Sequence, residues 1–121
     1  MLVHQILSAK ATAGVVTLTP QSSVKDAAKM LSQRKIGTVV VSEDGVHPVG
    51  ILSERDIVRE IGKRGPVMLN DSVGDVMTPK PFVCEGSDTA HSDLKTMTNG
   101  RFRHMPVVEN GALVGIISLG E

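Results

Sequence analysis

Apolar residues recur every three or four positions in two segments of the chain, which predicts two amphipathic helices. The first helix follows Ser22 or Ser23, either of which suits an N-cap. The predicted inner face of this helix holds Val24, Ala27, Ala28 and Leu31. The second lies in "SDTAHSDLKTMTNG", where the predicted inner face holds Ala90, Leu94 and Met97.

Two runs rich in β-branched residues, each interrupted by a turn, predict β-hairpins. "TVVVSEDGVHPVGIL" turns at residues 43–45, and "MPVVENGALVGII" turns at Asn110 and Gly111, a pair that favours tight hairpin turns. Short β-prone segments at 14–18 and 81–85 precede the two helices. After the first hairpin the spacing predicts a further helix, whose apolar side holds Ile57, Val58 and Ile61.

The order of these elements occurs twice along the chain. "MLSQRKIGTVVV" matches "MTNGRFRHMPVV" at a shift of 67 positions, and the same shift pairs Val16 with Val83 and Asp26 with Asp93. "VGIL" and "VGII" pair at a shift of 65. A match of this length predicts two copies of one β-α-β-β-α unit.

The boundaries of the two copies follow from the matched segments. We expect a first repeat over 1–67, with a lead-in helix in "LVHQIL", and a second over 68–121. The second begins with a short linker helix capped by Asp71 or Ser72. The final helix of the second repeat is expected to be missing, because the sequence ends at Glu121.

Composition excludes several classes of function. The chain has 121 residues, with 13 basic and 13 acidic side chains, so a surface that attracts nucleic acid or an anionic membrane is not expected. It has one cysteine, Cys84, which fits a reducing compartment. There is no zinc-type spacing, no signal peptide and no apolar run of ~20 residues. A soluble, cytoplasmic protein without a metal site is therefore expected.

Taken together, the two units, "VGILS" and "VGIIS", "VMTPKP" and "GRFRHMPVVENG" resemble a paired CBS domain, the Bateman module, of the small stand-alone kind found in bacteria and archaea. The resemblance implies an α/β (α+β) fold. In it two small three-stranded sheets pack together in pseudo-twofold fashion, with helices outside. It also implies clefts for adenine nucleotides and association into a homodimer.

Ser53 and Asp56 stand at the predicted strand-to-helix junction of the first repeat. Free backbone N–H groups at a helix N-terminus attract a phosphate, and Asp56 could accept hydrogen bonds from a ribose diol. Arg55 beside them could clamp a phosphate. The alternative is purely structural, because Ser-x-x-Asp is also close to a capping box. The resemblance implies that a Ser and an Asp at these positions contact phosphate and ribose.

The second repeat offers weaker candidates. Ser118 and Glu121 stand where Ser53 and Asp56 stand, but Glu121 is longer and is the last residue. Arg103 and His104 place cationic groups before a core strand, where they could bind phosphate or simply form a solvated basic loop. The other nucleotide-site candidates are Thr17, Lys35, Gly37, Val83, Met105 and Pro106.

The sequence therefore predicts a regulatory module that binds AMP, ADP or ATP, with NAD and S-adenosylmethionine as further ligands of the same kind. The alternative is a structural or dimerisation module with no ligand. Enzymatic activity is not expected, because no nucleophile–base pair, metal cluster or Walker loop is present. The sequence does not identify the target that is regulated.

Overall fold

The computed structural model describes residues 1–3, 5, 15–101 and 103–118. The chain divides into two compact units. The repeat-one unit is Val16–Pro81, and the repeat-two unit combines Phe82–Glu121 with Met1–Val15.

The repeat-one unit contains a mixed four-stranded sheet in the order β1-β2-β3-β4, with β1 parallel to β2 and the other pairs antiparallel. Its strands are β1 (Thr17–Leu18), β2 (Thr38–Ser42), β3 (Pro48–Ser53) and β4 (Thr78–Pro79). Its helices are α1 (Val24–Arg34), α2 (Glu54–Arg64), the 3-10 helix Pro66–Asn70 and α3 (Val73–Val76).

The repeat-two unit contains a three-stranded sheet in the order β5-β6-β7. Its elements are β5 (Cys84–Glu85), α4 (Ala90–Gly100), β6 (His104–Glu109) and β7 (Ala112–Ser118). The α+β class is thus confirmed. The first sheet, however, has a fourth strand that was not predicted, since β4 is only two residues long and ends in a proline.

Helix α1 begins and ends as its sequence dictates. The Ser23 hydroxyl oxygen accepts a hydrogen bond from the Asp26 N–H at 3.0 Å, so Ser23 is the N-cap. Lys35 ends the helix in the left-handed conformation, with φ 55°. The inward residues of α1 join a buried apolar core with the central strands, consisting of Val24, Ala27, Leu31, Val39, Val41 and Leu52.

Both predicted hairpins are confirmed, but they turn differently. Asn110 and Gly111 both adopt positive φ, 52° and 81°, as a tight two-residue turn requires. The longer turn of the first hairpin is organised by the Asp44 carboxylate, which accepts hydrogen bonds from the Val46 and His47 N–H groups at 2.8 Å. Hydrogen bonds from His47 and Val46 hold the pKa of Asp44 well below its usual range.

The strand registers correct the predicted alignment of the two repeats. Val41 pairs with Gly50 and is followed by a β-bulge in one hairpin, and Val107 pairs with Gly115 and is followed by a β-bulge in the other, so β2 and β6 align at a shift of 66. The left-handed helix ends at Lys35 and Arg101 obey the same shift. The predicted shift of 67 is therefore wrong by one residue, because similar residues such as Met30 and Met97 align at the neighbouring register.

The inner face of α4 was predicted correctly at Met97 but wrongly at Leu94. Leu94 is 43% exposed, whereas Asp93 is only 6% exposed and Met97 3%. At the structural shift of 66, Asp93 stands where α1 buries Ala27. Burial, followed by the nearby charge of Asp88, raises the pKa of Asp93. A carboxyl group thus occupies a position that an apolar pattern would never assign to it.

The segment that precedes each repeat in the sequence packs within the compact unit of the other repeat. The Val73 N–H donates to the Ser22 carbonyl oxygen at 2.7 Å, so α3 joins the repeat-one unit. In the same way, the Val3 N–H donates to the Asp88 carbonyl oxygen at 2.9 Å, so the first residues join the repeat-two unit. The compact units are therefore bounded at residues 15–16 and 81–82, and the division into repeats at residue 67 stays a prediction. Half of the predicted lead-in helix, including Ile6 and Leu7, lies outside the described residues.

Candidate functional site

The junction between β3 and α2 forms a complete capping box. The Asp56 N–H donates to the Ser53 hydroxyl oxygen at 3.2 Å. In return, Asp56 Oδ2 accepts hydrogen bonds from the Ser53 N–H at 2.9 Å and from the Ser53 hydroxyl at 3.0 Å. The structural role predicted as an alternative is therefore present. It also fixes the direction in which the Asp56 carboxylate points.

The second oxygen of this carboxylate belongs to an ion pair. Asp56 Oδ1 lies 3.0 Å from Nη2 of Arg59, whose side chain is half exposed, while the Asp56 side chain is only 9% exposed. Arg59 was not among the predicted site residues. The signal was available, since residues three apart lie side by side on a helix. The junction therefore presents a held carboxylate next to a guanidinium that reaches solvent.

The backbone donors of the first turn are largely used within the fold. The Glu54 N–H donates to the Gly37 carbonyl oxygen at 2.9 Å, and the Asp56 N–H is engaged by Ser53. Among the described residues, the N–H of Arg55 takes part in no cap or loop hydrogen bond. Fewer free N–H groups therefore lie beside Ser53 than the sequence predicted. The exposed Arg55 remains at the helix start, beside Ser53.

The remaining candidates of the repeat-one unit are Gly37, Lys35 and Thr17, and they differ in how they relate to this junction. Gly37 touches it directly through its carbonyl group, and a Cβ at Gly37 would lie 3.6 Å from Oε1 of Glu54. Lys35 is exposed at the end of α1, two residues before Gly37. Thr17 is half-buried in β1 and pairs with Val40 of β2.

The repeat-two unit brings together only part of the predicted set. His104 pairs with Ser118 across the β6–β7 ladder, as Thr38 pairs with Ser53 in the first unit. Two further candidates, Met105 and Pro106, are buried in β6. Two others lie at the surface, namely Arg103 and Val83. Glu121 lies outside the described residues.

The repeat-two unit also holds a group of polar side chains that the sequence analysis overlooked. Donor atoms of Cys84, Asp88 and Asp93 lie within 4.8 Å of one another. Burial raises the pKa of the Cys84 thiol, and the negative charge of Asp93 raises it further. The apolar pattern that predicts the core does not identify these three residues as a group. Their equivalents in the first repeat are found only when the two repeats are aligned at a shift of 66.

No helix in the described ranges has the length and apolar character needed to cross a bilayer. The CBS domain family model matches the chain twice, over residues 5–63 and 73–121. These two matches correspond to the two repeats seen in the sequence and in the sheets.

Solved structures share this fold over nearly the whole chain. A CBS-domain containing protein from Agrobacterium tumefaciens is 41% identical, with a TM-score of 0.91, and the match covers 99% of this chain and 94% of that one. The protein CBSX2, solved in complex with AMP, is 30% identical, with a TM-score of 0.78, and the match covers 98% of this chain and 90% of that one.

Among curated proteins, the mitochondrial CBS domain-containing protein CBSX3 from Arabidopsis thaliana is 32% identical over 107 residues, which cover 85% of this chain. The chain spans about half the length of that relative, 52%, and about a fifth of two others from the same plant, 19% and 20%. The double match of the family model, together with the fold, shows that the chain belongs to the CBS domain family.

Proposed function

We propose that the chain is a regulatory module that binds an adenine nucleotide, AMP, ADP or ATP, or a related adenosyl compound such as NAD or S-adenosylmethionine. Binding would change how the module packs or assembles, and a target would respond to that change. A ligand shifts such an equilibrium only by its difference in affinity for the two states.

The observation that carries this proposal is the held carboxylate at the β3–α2 junction. Asp56 Oδ2 accepts two hydrogen bonds from Ser53, and Oδ1 forms an ion pair with Arg59. An ionised carboxylate has about four acceptor sites, so capacity remains for a ribose hydroxyl. Because the capping box fixes this group before the ligand arrives, binding would cost little further ordering.

Cationic groups stand beside the carboxylate where the phosphate of a nucleotide would follow the ribose. Arg55 and Arg59 are four residues apart on α2, so they are neighbours on one helix face. Both side chains are exposed, and guanidinium groups bind phosphate through paired donors. The similarity to CBSX2, which was solved with AMP, supports a ligand of this class.

A thermal-shift panel with AMP, ADP, ATP, NAD and S-adenosylmethionine tests the proposal. A ligand present at 100 times its dissociation constant stabilises the folded state by about 2.7 kcal/mol, which gives a clear rise in Tm. We expect at least one member of the panel to produce that rise. If every adenosyl compound leaves Tm unchanged at millimolar concentration, the proposal is wrong.

Three variants separate ligand contact from helix capping. Arg55→Ala removes an exposed cation that takes no part in the cap, so Tm without ligand should stay constant while the affinity for AMP falls about tenfold. Lys63→Ala removes an exposed cation near the other end of α2 and should change neither quantity. Asp56→Asn should weaken both the cap and the binding. Equal affinities in Arg55→Ala and Lys63→Ala would remove Arg55 from the site.

The exposed apolar side chains of the repeat-one unit support assembly into a homodimer as part of the same proposal. Val58 and Val67 are 68% and 61% exposed, and Ile61 is 37% exposed. Val58 and Ile61 were predicted to lie on the apolar side of α2, yet only Ile57 of that side is buried. Light scattering should give the mass of a dimer for the native chain and of a monomer for Val58→Glu. A monomeric native chain would contradict this part.

A further inference from the structure

The cluster formed by Cys84, Asp88 and Asp93 in the repeat-two unit has the donor set of a metal site. One thiol sulfur and two carboxylate oxygens lie within 4.8 Å of one another. The strand β5, the turn after it and the helix α4 each provide one of them. The turn is closed by a hydrogen bond from the Glu85 N–H to Asp88 Oδ2 at 3.0 Å, which holds the second carboxylate in place.

A second observation points to a missing partner in this cluster. Asp93 is only 6% exposed, and its Oδ2 atom is buried without a hydrogen-bond partner among the described residues. Native proteins rarely leave a buried carboxylate oxygen unsatisfied, because its desolvation is costly. A cation bound between Asp93 and its two neighbours would satisfy it.

The first repeat shows that the fold does not need these polar groups. At the structural shift of 66, Leu18, Ser22 and Ala27 occupy the equivalent positions. Leu18 and Ala27 pack in or against the apolar core, and Ser22 closes the same turn with a hydrogen bond to the Thr19 carbonyl oxygen at 3.1 Å. The repeat-two unit therefore replaces three ordinary residues with three metal-ligating ones at a single spot.

We propose that Cys84, Asp88 and Asp93 bind one divalent transition-metal ion, of the class represented by Zn²⁺. A thiolate favours Zn²⁺ over hard ions such as Mg²⁺ or Ca²⁺, and three protein ligands leave a fourth position for water. The half-buried Asp88 marks the side from which solvent and the ion reach the cluster.

The three donor atoms must move closer together to bind one ion. Donor atoms in a tetrahedral zinc site lie about 3.5 Å apart, given Zn–S of about 2.3 Å and Zn–O of about 2.1 Å. The three donors would therefore have to move together by roughly 1 Å. The Cys84 thiol, which donates to the Pro106 carbonyl oxygen at 3.7 Å, would release its proton to solvent as the sulfur binds the ion. No oxidation or reduction is involved.

Titration with Co²⁺ under reducing conditions tests the site. Tetrahedral Co²⁺ bound by a thiolate gives a sulfur-to-metal charge-transfer band, and Cys84 is the only sulfur that could produce it as a thiolate. We expect this band to saturate at one ion per chain and to be displaced by Zn²⁺. The band should vanish in Cys84→Ser, and the affinity should fall at least tenfold in Asp88→Asn and Asp93→Ala.

Asp26→Asn is the matched control, since it changes an exposed acid in the first turn of α1 and should leave the titration unchanged. Asp88→Asn keeps a side-chain oxygen that can accept the hydrogen bond from the Glu85 N–H. This variant therefore still tests the site if the buried variants Cys84→Ser and Asp93→Ala do not fold. Absence of the band in the native chain would overturn the proposal, as would an unchanged affinity in Asp88→Asn. So would a Zn²⁺-dependent rise in Tm that is equal in Cys84→Ser.

Discussion

Ala27 and Asp93 occupy equivalent positions in the two repeats, yet one is an apolar core residue and the other is a buried acid. Both are almost completely buried, and the helices that carry them end in the same left-handed conformation. The sheets beneath them have the same register. Because the backbone frame is shared, the difference must be attributed to the side chains alone.

The comparison teaches that the two repeats divide their tasks. In the repeat-one unit the core is apolar, and the polar chemistry stands at the β3–α2 junction, where Ser53 and Asp56 form the capping box. In the repeat-two unit polar donors penetrate the core around Asp93. The two copies of a duplicated fold can thus carry polar groups at different places, provided that both copies keep the same backbone hydrogen bonds.

The largest effect is expected from giving the first repeat the acid of the second. Ala27→Asp places an uncompensated charge among apolar side chains, where no equivalent of Cys84 or Asp88 is present. We expect a loss of about 3–5 kcal/mol in the free energy of unfolding, measured by urea denaturation. A loss below about 1 kcal/mol would show that the two positions are not equivalent in burial.

The reciprocal change, Asp93→Ala, should stabilise the chain when metal is removed with a chelator. The folded state loses an unsatisfied carboxylate, so the gain at pH 7 should be about 1–3 kcal/mol. Its pKa is raised in the folded state, so Asp93 favours folding below its unfolded pKa of about 3.9, and this contribution is lost as pH rises. The gain from Asp93→Ala should therefore grow from pH 4 to pH 7. A gain independent of pH would contradict the assignment of the buried charge.

The smallest effect is expected where the repeats agree. Lys35 and Arg101 both end their helices with positive φ, 55° and 60°. Glycine adopts this conformation without strain but also loses more entropy on folding, so Lys35→Gly and Arg101→Gly should each stabilise by only about 0.5 kcal/mol. Thermal melts without ligand should show the same sign and size for both. A clear difference between them would mean that the frames are not equivalent.

Much of the fold could be predicted because its signals are local. The β-branched runs, the Asn110–Gly111 turn and the Ser23 cap act over a few residues, and the structure has all three. The capping box at Ser53 was also foreseen as one of two alternatives. The ion pair of Asp56 with Arg59 could have been found from the spacing alone.

What the sequence could not provide depends on exact register. A shift of 67 in place of 66 moves the strand residues aligned at that shift to the opposite face, and it aligned Asp93 with the exposed Asp26 instead of the buried Ala27. Apolar periodicity then favoured Leu94 over Asp93 for the inner face of α4. A buried acid contradicts the pattern by which buried positions are recognised, so only the coordinates could reveal it.

The central claim is that an adenine nucleotide binds at the β3–α2 junction. A titration of the isotopically labelled chain with AMP, followed by NMR of the backbone amides, tests this claim most directly. We predict saturable shifts that are largest at Ser53, Arg55 and Asp56 and that weaken in Arg55→Ala. Shifts that leave these three amides unmoved, at concentrations where AMP raises Tm, would place the nucleotide elsewhere and contradict the account.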